Sequence, residues 1–116
     1  MSAFTTVTGY ELVGLGPTST KVVIGTAVGP DSYDATTGSV MDLSSYFNGD
    51  MYDVQCEAQG LVGYQGTYVA GTGPDDGAIY LFEGQVTGSV THGAEVTNTT
   101  ALDGITFQFI ATGTDG

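Results

Sequence analysis

The feature that most constrains the fold is an alternating apolar run near the C-terminus, at positions 105–113. On an extended chain, one face of this run would carry Ile105, Phe107, Phe109 and Ala111. The opposite face is polar apart from Ile110. Alternation with a period of two, in β-branched and aromatic residues, is typical of a half-buried strand, whereas a helix would scatter these residues around its axis. The run therefore predicts a strand that places its phenylalanines in the core.

A second run, Lys21–Val28, has nearly the same length and β-propensity but is apolar on both faces. A strand that is covered on both sides shows this pattern, so the run predicts a central strand. We expect the two runs to lie in one sheet. The two ends of the chain would then close the fold, and the middle would form hairpins and loops.

Glycine separates further extended runs along the chain. There are nineteen glycines, more than twice the usual share, and no ten-residue stretch combines helical apolar spacing with strong helix formers. Long helices are therefore not expected. The loop at 71–77 is rich in Gly, Pro and Asp and predicts a hairpin between its neighbours. The further runs lie at 5–15, 39–47 (beginning as a short strand), 51–58, 61–71, 78–83 and 85–94 (a weak strand and a loop).

About seven short strands with turn residues between them predict an all-β fold. We expect a single-domain antiparallel β-sandwich, or a partly closed barrel, at 18–116. An extended N-terminal arm at 1–17 would precede it and end at Pro17. Such an arm can add a strand to the open sheet edge of another chain. Within the run at 39–47, Asp42 or Ser44 would cap one helical turn that ends near Asn48 and Gly49.

Charge excludes two classes of partner. The chain carries one basic residue, Lys21, against thirteen acidic ones, which gives a formal net charge of −12. Nucleic-acid phosphates and anionic membrane surfaces both require clustered Lys or Arg, so neither is expected as a partner. With 41% hydrophobic residues the chain is also unlike a disordered acidic tail. It contains no apolar run of about 18 residues and no secretory signal, so we expect synthesis in a cytoplasm.

The sequence shows no catalytic set and predicts no cofactor. Cys56 is the single cysteine and lies in a strand pattern, which favours a buried thiol over a reactive one. His92 lies in a polar loop without a nucleophile motif to partner it. One Cys and one His make zinc improbable, and Gly71-x-Gly73 lacks the helix and lysine of a phosphate loop.

Carboxylates and tyrosines are the remaining candidates for a site. Calcium binds clustered oxygens, and three aspartate pairs stand close in sequence, although Asp in such loops usually bonds its own backbone. No metal site is predicted. Tyrosines suit either strand packing or protein contacts. The aspartate pairs are Asp31/Asp34, Asp50/Asp53 and Asp75/Asp76, and the tyrosines of the middle third are Tyr33, Tyr46, Tyr52, Tyr64, Tyr68 and Tyr80.

From position 20 to 114 the layout resembles a family of small structural proteins encoded in the capsid modules of tailed bacteriophages. The matching segments are KVVIGT at 21–26, TGSVMDLS at 37–44, GAIYLF at 77–82, TALDGITF at 100–107 and ATG at 111–113. The resemblance implies a β-sandwich that decorates or cements the capsid surface, often as a trimer. The major capsid protein and further copies of the chain would be its partners. This chain differs in its N-terminal arm and in having only Lys21 as a basic residue.

This resemblance predicts a non-enzymatic capsid decoration subunit located on the virion surface. A phage tail or fibre component is the alternative within structural proteins. A carbohydrate-binding sandwich is an alternative from another class, with Tyr33, Tyr64 or Tyr68 as sugar platforms, although the chain has no tryptophan. An enzyme is the third and least supported reading, and it would require His92 in an active role.

Overall fold

The structure is a computed structural model that describes residues 2–12, 20–59, 63–83 and 95–114. Within these residues the chain forms seven strands and no helix. The strands are β1 (Thr5–Leu12), β2 (Lys21–Val28), β3 (Ser39–Val40), β4 (Met51–Ala58), β5 (Tyr64–Val69), β6 (Ala78–Glu83) and β7 (Thr106–Gly113). The predicted all-β antiparallel fold is confirmed. The strands form one curled sheet in the order β1-β2-β7-β4-β5-β6-β3, which matches a partly closed barrel.

The centre of the sheet is the antiparallel ladder that joins β2, β7 and β4. Every residue of β2 pairs with one of β7, from Lys21 opposite Gly113 to Val28 opposite Thr106. On the concave, inner side of β2 and β7 the apolar side chains are fully buried, and they include Val23, Ala27, Phe107, Phe109 and Ala111. The two runs that dominate the sequence therefore lie side by side, as their patterns predicted.

The prediction of β2 as a central strand is confirmed, and only its inner side is covered. Val23 and Ala27 face the core, whereas Ile24 remains 44% exposed. The strand is interior to the sheet because β1 and β7 flank it, but this sheet has a single covered face.

The other half of the sheet is a hairpin that is joined only weakly to the centre. β5 and β6 pair over six residues across the loop at 71–77, which confirms the predicted hairpin. β4 and β5 pair only at Cys56–Gly66 and Glu57–Gln65 and diverge beyond these positions.

The N-terminal residues connect the two edges of the sheet. The Phe4 amide donates to the Val40 carbonyl at 2.8 Å, and the Val40 amide donates to the Ser2 carbonyl at 3.1 Å. The chain then enters β1, in which Thr6 has a φ of 49°, and β1 pairs with β2 at the other edge. The described part of the predicted arm is extended, as expected, but its strand β1 pairs with β2 and belongs to the sheet of its own chain.

Loops at both ends of the strands carry the remaining core residues. At one end, the amides of Gly29 and Leu102 donate to the carbonyls of Ile105 and Pro30. At the other end, Asp42 accepts from the Ser44 amide at 2.9 Å and begins a single turn at 44–46, as predicted for Asp42. The weak strand predicted at 85–94 lies outside the described residues.

Candidate interaction surface

Apolar side chains also occur on the convex, outer side of β1, β2 and β7. Tyr10 pairs with Ile24, which pairs in turn with Ile110 on the next strand. Leu12 pairs with Val22 in the adjacent row. Cross-strand partners lie about 5 Å apart on one face of a sheet, so these five side chains form one continuous patch. We call this patch the apolar face.

The apolar face is exposed to solvent in the isolated chain. Tyr10 is 77% exposed, Leu12 51%, and Ile24 and Ile110 44% each, while Val22 is half-buried. Single exposed apolar residues are ordinary, but a contiguous group on three adjacent strands is a candidate for an interaction site.

The apolar face is surrounded by uncharged side chains. The other outward residues of β1, β2 and β7 are threonines, Val28 and Gln108, and none of them is ionisable. The first charges on the outer side of the described sheet next to this region are Asp53 and Glu57 on β4. Glu11 and Lys21 occupy inward-facing positions of β1 and β2, and their side chains form an ion pair of 2.8 Å. The patch can therefore lose water without burying a charge.

Acidic residues concentrate in the loops at the two ends of the strands. One end carries Asp31, Asp34 and Asp103, and the other carries Asp42, Asp50, Asp75 and Asp76. Only one of the thirteen acidic residues of the chain, Asp115, falls outside the described residues. The strand ends are thus acidic, whereas the outer surface over β1, β2 and β7 is neutral.

Two of these aspartates bond their own loops. Asp34 accepts from the amides of Thr36 and Thr37. These hydrogen bonds lower the pKa of its carboxyl, and the contribution of Thr37 is the larger one. Asp76 accepts from the Thr72 hydroxyl and from the amides of Thr72 and Gly73, which lowers its pKa to about 2. Both carboxylates organise turns, as the loop chemistry indicated. Among the described residues, no three His, Cys, Asp or Glu side chains come together as a metal site.

The divergence of β4 and β5 leaves an outward groove of about 430 Å³. Asp53, Gln55, Gln65 and Gln108 contribute polar side chains to it. Cys56 also borders the groove but is buried, and burial raises the pKa of its thiol to about 12. The thiol is therefore protonated at neutral pH and is a poor nucleophile. The predicted buried state of Cys56 is confirmed.

Tyr33 is buried and has a structural role. Its ring is 1% exposed, its hydroxyl donates to Glu95 at 2.7 Å, and it accepts from the Leu81 amide at 2.8 Å. Burial, followed by the influence of Glu95, raises the pKa of the phenol. A ring that has no free face cannot stack on a sugar, so the prediction of Tyr33 as a sugar platform is wrong. Tyr64 and Tyr68 are half-buried against the core.

His92 lies outside the described residues, so the structure does not place it. No helix in the described parts of the chain has the length and apolar character needed to cross a membrane. Comparison of the chain with protein-family models, with curated proteins and with solved structures gave no match. The resemblance to phage capsid proteins accordingly stays a prediction.

Proposed function

We propose that this chain is a non-enzymatic structural protein of a tailed-bacteriophage virion. It is a capsid decoration, or cement, subunit that binds the major capsid protein on the head surface and stabilises the shell. The observation that carries this proposal is the separation of acidic strand ends from an uncharged apolar face, because the ends suit contact with a basic shell surface and the apolar face suits contact with other chains.

The distribution of charge supports adhesion to a shell. Seven aspartates lie in the loops at the two ends of the strands, where they project toward solvent or cap turns. Such ends complement a basic surface and steer association with it. Many copies on one particle make individually weak contacts sufficient for lasting attachment.

The partly closed fold also suits this role. The N-terminal residues join the two edges of the sheet, and Phe4 packs edge-on against Phe107 with ring centroids 5.2 Å apart. Pairing of the N-terminal residues with Val40 leaves fewer unpaired backbone groups at the β3 edge, and this limits edge-to-edge aggregation there. Contacts with neighbours are then made by defined faces and loops.

Co-sedimentation with shells tests the proposal. Shells assembled from the major capsid protein of the phage that encodes this chain should bind it up to a fixed number of copies per capsid subunit. The binding should weaken with salt, because it depends on the acidic ends. Cryo-microscopy of the virion would place the chain on the head surface, and density for it only in the tail would favour a tail or fibre component. Absence of binding at every salt concentration would refute the decoration role.

A further inference from the structure

We propose that the apolar face, formed by Tyr10, Leu12, Val22, Ile24 and Ile110, binds a second copy of this chain. The inference deepens the proposed function by naming the surface through which copies contact one another. The inference rests on the proposed function only for the location of the assembly on a capsid. The contact between copies would also form in the purified chain.

Charge identifies a second copy as the occupant. Any two copies each carry a formal charge of −12, so they repel through every surface that presents carboxylates. The outer side of β1, β2 and β7 presents none, and its nearest charges are Asp53 and Glu57 on β4. A contact through the apolar face therefore keeps the acidic strand ends out of the interface. A basic partner would gain nothing by docking on this neutral surface.

Geometry leaves this surface accessible. β1 is the first strand in the sheet order, so the patch reaches the margin of the sheet, where Tyr10 and Leu12 are its most exposed members. Tyrosine is one of the residues that contribute most to binding at protein interfaces, and the buried centre of an interface is more apolar than its rim. The rim includes Thr8, Thr26 and Gln108, which are polar without being charged, and on the β4 side Gln55 lies next to Ile110, between Asp53 and Glu57.

The chain provides a matched control for the interface. Val69 on β5 is 50% exposed and is separated from β7 by β4 in the sheet order. Aspartate at Ile24 or at Val69 adds the same charge to a strand at a similarly exposed position. Only the first substitution places that charge inside the proposed contact.

The experiment is sedimentation velocity of the purified full chain over a wide concentration range. Wild type should form dimers or trimers, and its association should strengthen as salt rises, because screening weakens the repulsion between copies. Capsid binding through the acidic ends should weaken under the same change. Failure of the proposed function and failure of this inference are therefore distinguishable.

Ile24→Asp and, as a second variant, Ile110→Asp should each lower the association constant by about 30-fold or more, the effect of losing a central interface residue. Val69→Asp should associate like wild type. Thermal unfolding of each variant controls for folding. A wild type that stays monomeric at every concentration and salt would overturn the proposal. So would folded Ile24→Asp and Ile110→Asp proteins that associate as strongly as Val69→Asp.

Discussion

The two sides of β2 and β7 carry similar residues in opposite surroundings. On the inner side, Val23, Phe107 and Phe109 are at most 1% exposed. On the outer side, Ile24 and Ile110 are directly paired and each remains 44% exposed. One side of the ladder is used for folding, and we propose that the other is used for association. The comparison shows that apolar residues in a strand do not by themselves reveal how many of its faces the chain covers.

The inner side is covered because the sheet curls and the chain termini complete it. Phe4 reaches this core from the N-terminal residues, and Leu102 and Val96 enter it from the loops before β7. No described element of the same chain lies over Ile24 and Ile110, which are each 44% exposed.

The largest expected effect comes from the inner side of β7. Phe107→Ala removes a ring that is fully buried and that contacts Phe4. We expect the free energy of unfolding to fall by about 3–5 kcal/mol, the usual cost of truncating a core phenylalanine. Urea unfolding followed by fluorescence or circular dichroism measures it. A loss below about 1 kcal/mol, the level of an ordinary surface change, would contradict this account of the core.

A slightly smaller effect is expected where β1 and β2 approach closely. A Cβ atom at Gly25 would collide with the Thr8 carbonyl and lie 2.7 Å from the Cα of Gly9. Because these are backbone atoms, they cannot move without disturbing the pairing of β1. Gly25→Ala should destabilise the fold by about 1–3 kcal/mol and increase hydrogen exchange in β1. Gly104→Ala is the control, since a Cβ there meets nothing within 4 Å.

Tyr33 provides the next test, with a dependence on pH. Tyr33→Phe leaves the Leu81 amide without its acceptor and should cost about 1–3 kcal/mol at neutral pH. Because the pKa of Tyr33 is raised in the folded state, its neutral phenol stabilises the fold below the unfolded pKa of about 10, and this contribution is lost as pH rises further. The difference in stability between wild type and Tyr33→Phe should therefore shrink above about pH 10. A difference that stays constant to high pH would contradict the buried position of the phenol.

The smallest effect on folding is expected on the outer side. Ile24→Thr should change the free energy of unfolding of the monomer by no more than about 0.5–1 kcal/mol, because Ile24 is already half solvated and threonine keeps a β-branched side chain. The effect on the monomer is measured in dilute samples at low salt, because association between copies is weakest there. A loss comparable to that of Phe107→Ala would mean that the outer side is part of the folding core.

Sequence patterns predicted most of the sheet but not its closure. Strands with alternating or continuous apolar residues, such as β7 and β2, were identified with nearly correct bounds because periodicity is a local property. The pairing of residues 2–4 with Val40 was not predicted, since three residues carry no period and their partner is distant in sequence. Tyr33 lies in a polar loop, so nothing local indicated that its ring enters the core.

The sequence showed the apolar residues that form the apolar face, but it did not show that they lie together on one exposed surface. Ile110 was the single apolar exception on the polar side of its strand, and the second apolar face of β2 contained Ile24. Each could have been covered by the chain itself. Only the register of the strands, which aligns Tyr10, Ile24 and Ile110 in one row, shows that they form a surface.

The most direct test of the central claim is methyl NMR of the isoleucines during dilution of the wild-type protein. Ile24 and Ile110 lie on the outer side of the sheet, whereas Ile79 is fully buried and serves as the internal reference. The account predicts that the methyl resonances of Ile24 and Ile110 shift with protein concentration while those of Ile79 remain constant. Resonances of Ile24 and Ile110 that do not change over a concentration range in which the protein demonstrably associates would contradict it.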